Sequence, residues 1–282
     1  MTVVTVVRND VSGIEGTILS VAGQTHRPLE YIIVDGASTD GTLDVIKRHE
    51  NSITSWSSEP DRGIADGLNK GVSLATGDLI IFMNSGDSFV DQRTLARAVA
   101  LIPADVRPRE CIFYGDAIYK DGSKVTALHT DHRALPSGSA LCHPSVLVGA
   151  DVQKQNLYDD RLAIFMDYDL WLRCLGKYRF IKLPIAMSNF MAGGVSGADV
   201  SGVRFQLEQA VVQLINEQMP MNIRSLLEVI QRTVFFLAKR KLRRIIGPRR
   251  YLVLKRLVGR NSPSSWAPPS AAAEPPVDCS GE

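Results

Sequence analysis

The chain is poor in cysteine, and the four it has, Cys111, Cys142, Cys174 and Cys279, stand far apart with no paired spacing. Neither a zinc site nor a disulfide framework is therefore expected, and a reducing compartment fits best. No apolar run approaches the roughly 20 residues that span a bilayer, so no membrane-spanning helix is predicted. The first seven residues lack the basic leader and small-residue cleavage site of a secretory signal, which makes the cytoplasm the expected location. Acidic residues are missing from residues 239–260, where ten Lys or Arg stand unopposed, leaving 22 basic and 30 acidic residues elsewhere. A formal net charge of +2 thus conceals an acidic body and a basic C-terminal region.

With 282 residues and 45% hydrophobic content the chain can bury one substantial core. Residues 3–7 are a β-branched run, residues 14–21 carry helical spacing, and residues 31–34 form a second apolar run closed by Asp35 and Gly36. This reads as strand, helix, strand. Residues 39–42 offer caps for a helix through Ile46. Ile64, Leu68, Val72 and Ala75 mark one face of another helix, and residues 79–83 form the next buried strand. Apolar strands alternating with helices predict an α/β fold with a mostly parallel central sheet, whose ligands bind beyond the carboxyl ends of the strands. Asp35 and Asp87 would emerge there. After Leu101 short strands and loops are expected, with a hairpin around Asp121-Gly122 and a helix from Tyr168 to about Leu175, together forming the acceptor side. Residues 203–218 and 223–242 read as helices separated by Pro220, and residues 261–282, rich in Pro, Ser and Ala, as a disordered tail.

Three stretches carry candidate chemistry. In Asp35-Gly36-Ala37-Ser38-Thr39-Asp40-Gly41-Thr42 an acid ends a strand and small turn residues follow, so Asp35 can accept a hydrogen bond from a base N–H or merely terminate its strand. In Asn84-Ser85-Gly86-Asp87 a buried strand delivers polar groups at its end. A diphosphate and its cation need hard oxygen ligands, which makes Asp87 the candidate metal ligand and an ordinary polar turn the alternative. In Phe165-Met166-Asp167-Tyr168-Asp169-Leu170-Trp171 two acids enter a helix. One can face the cleft as a general base while the other caps the helix or is solvated.

In order and spacing these stretches resemble the family 2 glycosyltransferases of the GT-A fold, of the kind that build bacterial cell-surface glycans or glycolipids. The intervening Glu59-Pro60-Asp61-Arg62-Gly63-Ile64-Ala65-Asp66-Gly67 and Ala75-Thr76-Gly77-Asp78 strengthen the match, which covers roughly residues 3–196. The resemblance implies a GT-A domain over residues 1–200 and inverting transfer from a nucleoside diphosphate sugar to a glycan or lipid-linked acceptor. It further implies that Asp35 and Asp61 bind the nucleotide, that Asp87 binds Mn²⁺ or Mg²⁺, and that Asp167 is the catalytic base with Asp169 its competitor. Gly86 stands where the family usually has an acid, so the ribose or metal contacts of that side chain are expected to be either missing or taken over by Asn84, and Met166 replaces the acidic neighbour of the base. His143 is a candidate for acceptor or diphosphate contact or else a structural histidine. Gly193 and Gly194, in Met191-Ala192-Gly193-Gly194-Val195-Ser196, resemble a flap over the donor phosphates.

A nucleotidyltransferase would need a glycine-rich phosphate loop after the first strand, where this chain has Arg8-Asn9-Asp10-Val11. A catalytically silent nucleotide-binding or membrane scaffold is the other alternative, and no nucleic-acid partner is expected. The apolar residues 234–238 and the mixed segment 249–258, interleaved with the basic cluster, suit the surface of an anionic membrane. A peripheral enzyme on the inner face of the cell membrane is the expectation for residues 201–260, a packed helix with a solvated basic face the alternative.

Overall fold

The computed structural model describes residues 1–121, 124–137, 141–191 and 203–216. The N-terminal half alternates β1 (Thr2–Val7), α1 (Ile14–Ala22), β2 (Glu30–Asp35), α2 (Thr42–Arg48), β3 (Ser55–Ser58), α3 (Ile64–Leu74) and β4 (Leu79–Phe82). Then come β5 (Ser88–Phe89), α4 (Thr94–Ala100), β6 (Cys111–Asp121), β7 (Lys124–Leu128), β8 (Val146–Gly149), α5 (Ala150–Gln155), α6 (Met166–Cys174), β9 (Arg179–Met191) and α7 (Val203–Ile215). Among the described residues the strands form one sheet in the order β3-β2-β1-β4-β8-β6-β9-β5, with β7 paired to β6. Pairing is parallel from β3 through β2 and β1 to β4 and again between β6 and β9, and antiparallel where β8 joins β4 and β6.

Strand alternation explains the layers. Val4, Val6, Ile32, Val34, Ile80 and Phe82 point to one face, where α3, α5 and α6 cover them through Leu68, Val72, Val152 and Trp171. Val3, Tyr31, Ile33, Leu79 and Ile81 point to the other, under α1, α2 and α4 through Ile14, Ile18, Val45, Ile46 and Leu95. With both faces covered, these strands have to be apolar throughout, which is why they appear as unbroken hydrophobic runs. Thr5 is a polar exception inside β1. It is fully buried and donates to the Met83 carbonyl oxygen at 2.7 Å, with its hydroxyl 3.0 Å from that of Tyr31.

Beyond Leu101 the structure differs from the expectation of short strands: β6 has 11 residues and β9 has 13. Gly115-Asp116 in β6 and Pro184 in β9 interrupt the apolar pattern, and the two strands absorb them in register shifts around Asp116 without losing their pairing. The hairpin forms where expected, Asp121 pairing with Lys124. Helix α6 begins at Met166, two residues before the expected Tyr168, so both acids lie in its first turn. Helix α7 ends its described span at Ile215. The expected helix over residues 223–242, the basic region and the tail lie outside the described residues.

Candidate active site

The parallel register aligns four strand ends on one edge. Val7 lies beside Asp35, Asp35 beside Ser58, and Val4 beside Phe82. Whatever follows β1, β2, β3 and β4 therefore meets in one place: Arg8 to Gly13, Gly36 to Gly41, Glu59 to Gly63, and Met83 to Asp87.

Asp35 is fully buried. Its Oδ2 accepts the Ser38 amide at 3.0 Å and the Ser58 hydroxyl at 2.6 Å, and the Ser38 hydroxyl donates to Oδ1. Most of its acceptor capacity is thus spent in joining β2, β3 and the following turn. Asp61 follows β3, its side chain 4% exposed and 3.9 Å from the Arg8 guanidinium. It packs against the Cα of Gly36, where a Cβ would collide with the Asp61 carboxylate. Glycine at position 36 is therefore what lets the two expected nucleotide-binding acids come together.

Asp87 and Asn84 share the turn after β4. The turn is pinned from beneath: Asp87 N–H donates to Asn84 O at 3.0 Å, the Thr17 hydroxyl donates to Asp87 O at 2.8 Å, and Gly86 N–H donates to Thr17 Oγ1 at 3.0 Å. Asp10 ties the same turn to the start of α1, accepting from the Ser85 hydroxyl at 2.7 Å and from Gly13 N–H at 3.0 Å. Gly86 has φ +92°, in the left-handed region, which gives a backbone reason for glycine where relatives are expected to carry an acid. Asn84 Oδ1 is buried and lacks a hydrogen-bond donor among the described residues.

The resemblance carried by these stretches implies a divalent cation here. Among the described residues no three His, Cys, Asp or Glu side chains gather into a cage. Asp87 and the orphaned Asn84 oxygen nonetheless fit a hard cation whose shell is completed by diphosphate and water oxygens. Sequence reasoning overlooked Asp10 and Thr17. Asp10, three residues ahead of Gly13 and three beyond the end of an apolar strand, carried the signal of a helix start.

The two acids of α6 have different environments. Asp169 is 5% exposed, bound by Arg173 Nε at 2.8 Å and by the Asn216 amide at 3.0 Å. Asp167, half-buried, accepts the Tyr168 N–H at 2.7 Å, and among the described residues no Lys, Arg or His forms an ion pair with it. Burial pushes its carboxyl up to about 6, against the lowering effect of the backbone N–H groups. The Cys142 thiol is pushed above its usual range, first by burial and then by the charges of Asp87 and Asp167, which places both acids around that one residue.

His143 stacks on Phe82 with ring centroids 5.0 Å apart, and its Nε2 lies 2.9 Å from the Tyr158 hydroxyl. Burial holds the imidazole down at about 4, so it is neutral at pH 7. Tyr158 is in turn fixed by reciprocal 2.9 Å bonds with the Asn69 amide on α3. His143 thus forms part of an aromatic floor beneath Cys142. Gly193 and Gly194 lie outside the described residues.

The family model for glycosyl transferase family 2 matches residues 2–128. An uncharacterised glycosyltransferase of Mycobacterium tuberculosis is 37% identical over 100 residues, covering 35% of this chain and 38% of that protein. The chain therefore spans well under half the length of that relative. A PGL/p-HBAD biosynthesis glycosyltransferase of Mycobacterium bovis is 29% identical over 182 residues, covering 62% of this chain and 70% of the relative. Among solved structures, S. aureus TarS residues 1–349 in complex with UDP-GlcNAc superposes with TM-score 0.61 at 18% identity, covering 84% of this chain and 71% of that one. The mannosyltransferase PcManGT of Pyrobaculum calidifontis, in complex with GDP-Man and Mn²⁺, superposes with TM-score 0.60 at 16% identity, covering 83% and 69%. At such identities the structural likeness establishes the fold.

The raised carboxyl of Asp167 has a consequence for stability. An unfolded aspartate ionises near pH ~3.9, so the folded protein pays nothing below that pH and is increasingly destabilised as the pH rises towards 6. Asp167→Asn removes the ionisation and keeps the acceptor for Tyr168 N–H. Urea unfolding should find the variant about 1–3 kcal/mol more stable than wild type at pH 8 and indistinguishable from it near pH 4. Equal stability at both pH values would contradict the assigned environment.

Proposed function

We propose, from the match of residues 2–128 to glycosyl transferase family 2 and from the GT-A fold, that this chain moves a sugar from a nucleoside diphosphate sugar to an acceptor hydroxyl, with inversion. The observation that carries this reading is the contrast between Asp167 and Asp169. One helix turn holds an acid neutralised by Arg173 and another that is half-buried, with no ion-pair partner among the described residues, and poised near pH 6. A base of that kind suits removal of a hydroxyl proton at neutral pH.

In this reading Asp35 and Asp61 shape the pocket for the nucleotide base, Asp87 and Asn84 hold a Mn²⁺ or Mg²⁺ ion, and His143 supports the floor without changing charge. The bound cation would supply positive charge to the leaving diphosphate. Asp167 takes the acceptor proton as the acceptor oxygen attacks the anomeric carbon from the face opposite the diphosphate. The nucleoside diphosphate leaves, and a single displacement inverts the configuration. Gly193 and Gly194 are proposed to close over the donor phosphates. The complexes of TarS with UDP-GlcNAc and of PcManGT with GDP-Man and Mn²⁺ support a nucleotide-sugar donor and a divalent metal.

The acceptor is proposed to be a glycan or lipid-linked molecule at the inner face of the membrane. Among the described residues no helix is long and apolar enough to cross a bilayer, but α7 exposes Leu207, Val211, Leu214 and Ile215 along one side. Residues 239–260 then add ten basic residues with no acid. Each cation near an anionic surface contributes about 1 kcal/mol, screened by salt.

A screen of nucleotide sugars with Mn²⁺ identifies the donor. With it, Asp167→Asn should lower turnover by at least ~100-fold while donor affinity stays near that of wild type, and wild-type kcat should fall as the pH drops below about 6, where the base is protonated. Transfer by the variant within a few-fold of wild type would remove Asp167 from the role. Metal-dependent donor binding, followed by calorimetry with Mn²⁺ and with EDTA, should disappear in Asp87→Ala. Full wild-type activity in excess EDTA would count against the metal site. In co-sedimentation with anionic liposomes, the full chain should pellet at low salt and be released at high salt, whereas a chain ending at Glu228 should stay in solution. Equal behaviour of the two would end the membrane reading.

A further inference from the structure

The described part of α7 lies about eighty residues beyond the family match, yet one of its faces is given over to the start of α6. Phe205 packs edge-on against Phe165 with centroids 4.6 Å apart, Val212 is 1% exposed in the core, and Asn216 binds Asp169. Between them stands Glu208. Its Oε2 accepts the backbone N–H of Ile164 at 2.8 Å, of Ala163 at 3.0 Å and, more weakly, of Phe165 at 3.4 Å.

These amides matter because α6 has no cap of its own. Phe165 occupies its N-cap position and offers no side-chain acceptor, and the amides of residues 163–165, which lead into the first turn, take theirs from Glu208. A carboxylate at a helix N-terminus also interacts favourably with the helix dipole. Ile164 and Phe165 are buried, so water cannot easily substitute for Glu208. Asp167 lies two residues beyond the last of these amides.

We propose that Glu208 is a positioning residue, a detached cap that holds residues 163–165 and thereby sets where the Asp167 carboxylate stands. The proposal rests on Asp167 being the base. Glu208 itself touches no reacting group. Loss of the cap frees the lead-in loop to rotate its amides towards solvent and carries Asp167 with it. A displacement of about 1 Å is enough to cost on the order of 100-fold in rate. Gln at position 208 keeps an acceptor oxygen at the right distance, Asp withdraws it by one methylene, and Ala removes it.

The test compares Glu208→Gln, Glu208→Asp and Glu208→Ala in the full chain, with thermal melting used to count folded molecules. Per folded molecule, kcat should fall by about 10- to 100-fold in the Ala and Asp variants. The donor KM should change by no more than about 3-fold, because a misplaced base leaves nucleotide binding intact. The Gln variant should recover most of the rate. Independently of turnover, NMR titration of ¹³C-labelled aspartate should show the Asp167 midpoint moving down from about 6 towards the ordinary carboxylate range in the Ala and Asp variants and staying near 6 in the Gln variant. If the wild type transfers no sugar from any donor, the proposed function fails, and the titration alone still decides Glu208. Wild-type kcat per folded molecule and a wild-type Asp167 midpoint in both the Asp and Ala variants would overturn the proposal. Should the Ala variant fail to fold, the Asp variant carries the test.

Discussion

The parallel pairing of β1 with β2 and β4 is the constraint on which the rest of the site depends. Parallel strands all end on the same edge, and their register sets Val7, Asp35 and Ser58 side by side. The polar turns that follow cannot avoid one another. They interlock instead: Asn9 Oδ1 accepts Thr39 N–H at 2.8 Å, Asn9 N–H donates to the Ser38 hydroxyl at 2.7 Å, and Asp10 reaches the turn after β4. Asn9 and Ala37 both hold positive φ, at 52° and 58°, so the backbone accepts unfavourable conformations where the turns meet. The result is a rigid rim at the mouth of the sheet, with Asp61 lodged against Gly36.

On this rim and on α6 the same chemical group appears in different states, and packing decides which. Asp35 is buried and satisfied by serine and backbone donors. Asp169 is buried and neutralised by Arg173. Asp167 is half-buried, with backbone N–H groups and no ion-pair partner among the described residues, and the desolvation it does suffer makes its proton harder to remove. A carboxylate left in that condition weakens the fold above pH 6, and a protein keeps such a group only where something else has placed it under selection. The second half of the sheet and α7 supply the surroundings. Tyr158, Cys142 and His143 form a half-buried floor, and Glu208 holds the entry to the helix.

Much of the architecture was legible in the chain. The unbroken apolar runs at residues 3–7, 31–34 and 79–83, separated by helical spacing, specified a covered parallel sheet, because only strands buried on both faces tolerate so little polarity. The acids at the ends of those runs, Asp35 and Asp87, followed from the strand boundaries alone. The long strands β6 and β9 were not legible, since Gly115-Asp116 and Pro184 look like breaks and only the pairing between the two strands, with its register shifts, makes each continuous.

The sequence by itself determined the fold class, the edge at which ligands collect and the short list of acids that could act there. Local pattern suffices for this, because period and strand ends are properties of neighbouring residues. Apart from the resemblance, which named Asp167 with Asp169 as its competitor, the residues themselves left the two open, since they stand two positions apart on one helix turn with the same intrinsic acidity. The tertiary structure gives them different surroundings, by bringing Asn216 of the segment after α7 to Asp169, aligning Arg173 with it, and leaving Asp167 half-buried without an ion-pair partner among the described residues. Solvation and charge pairing are set by atoms distant in sequence, and a pKa is the sum of those contacts.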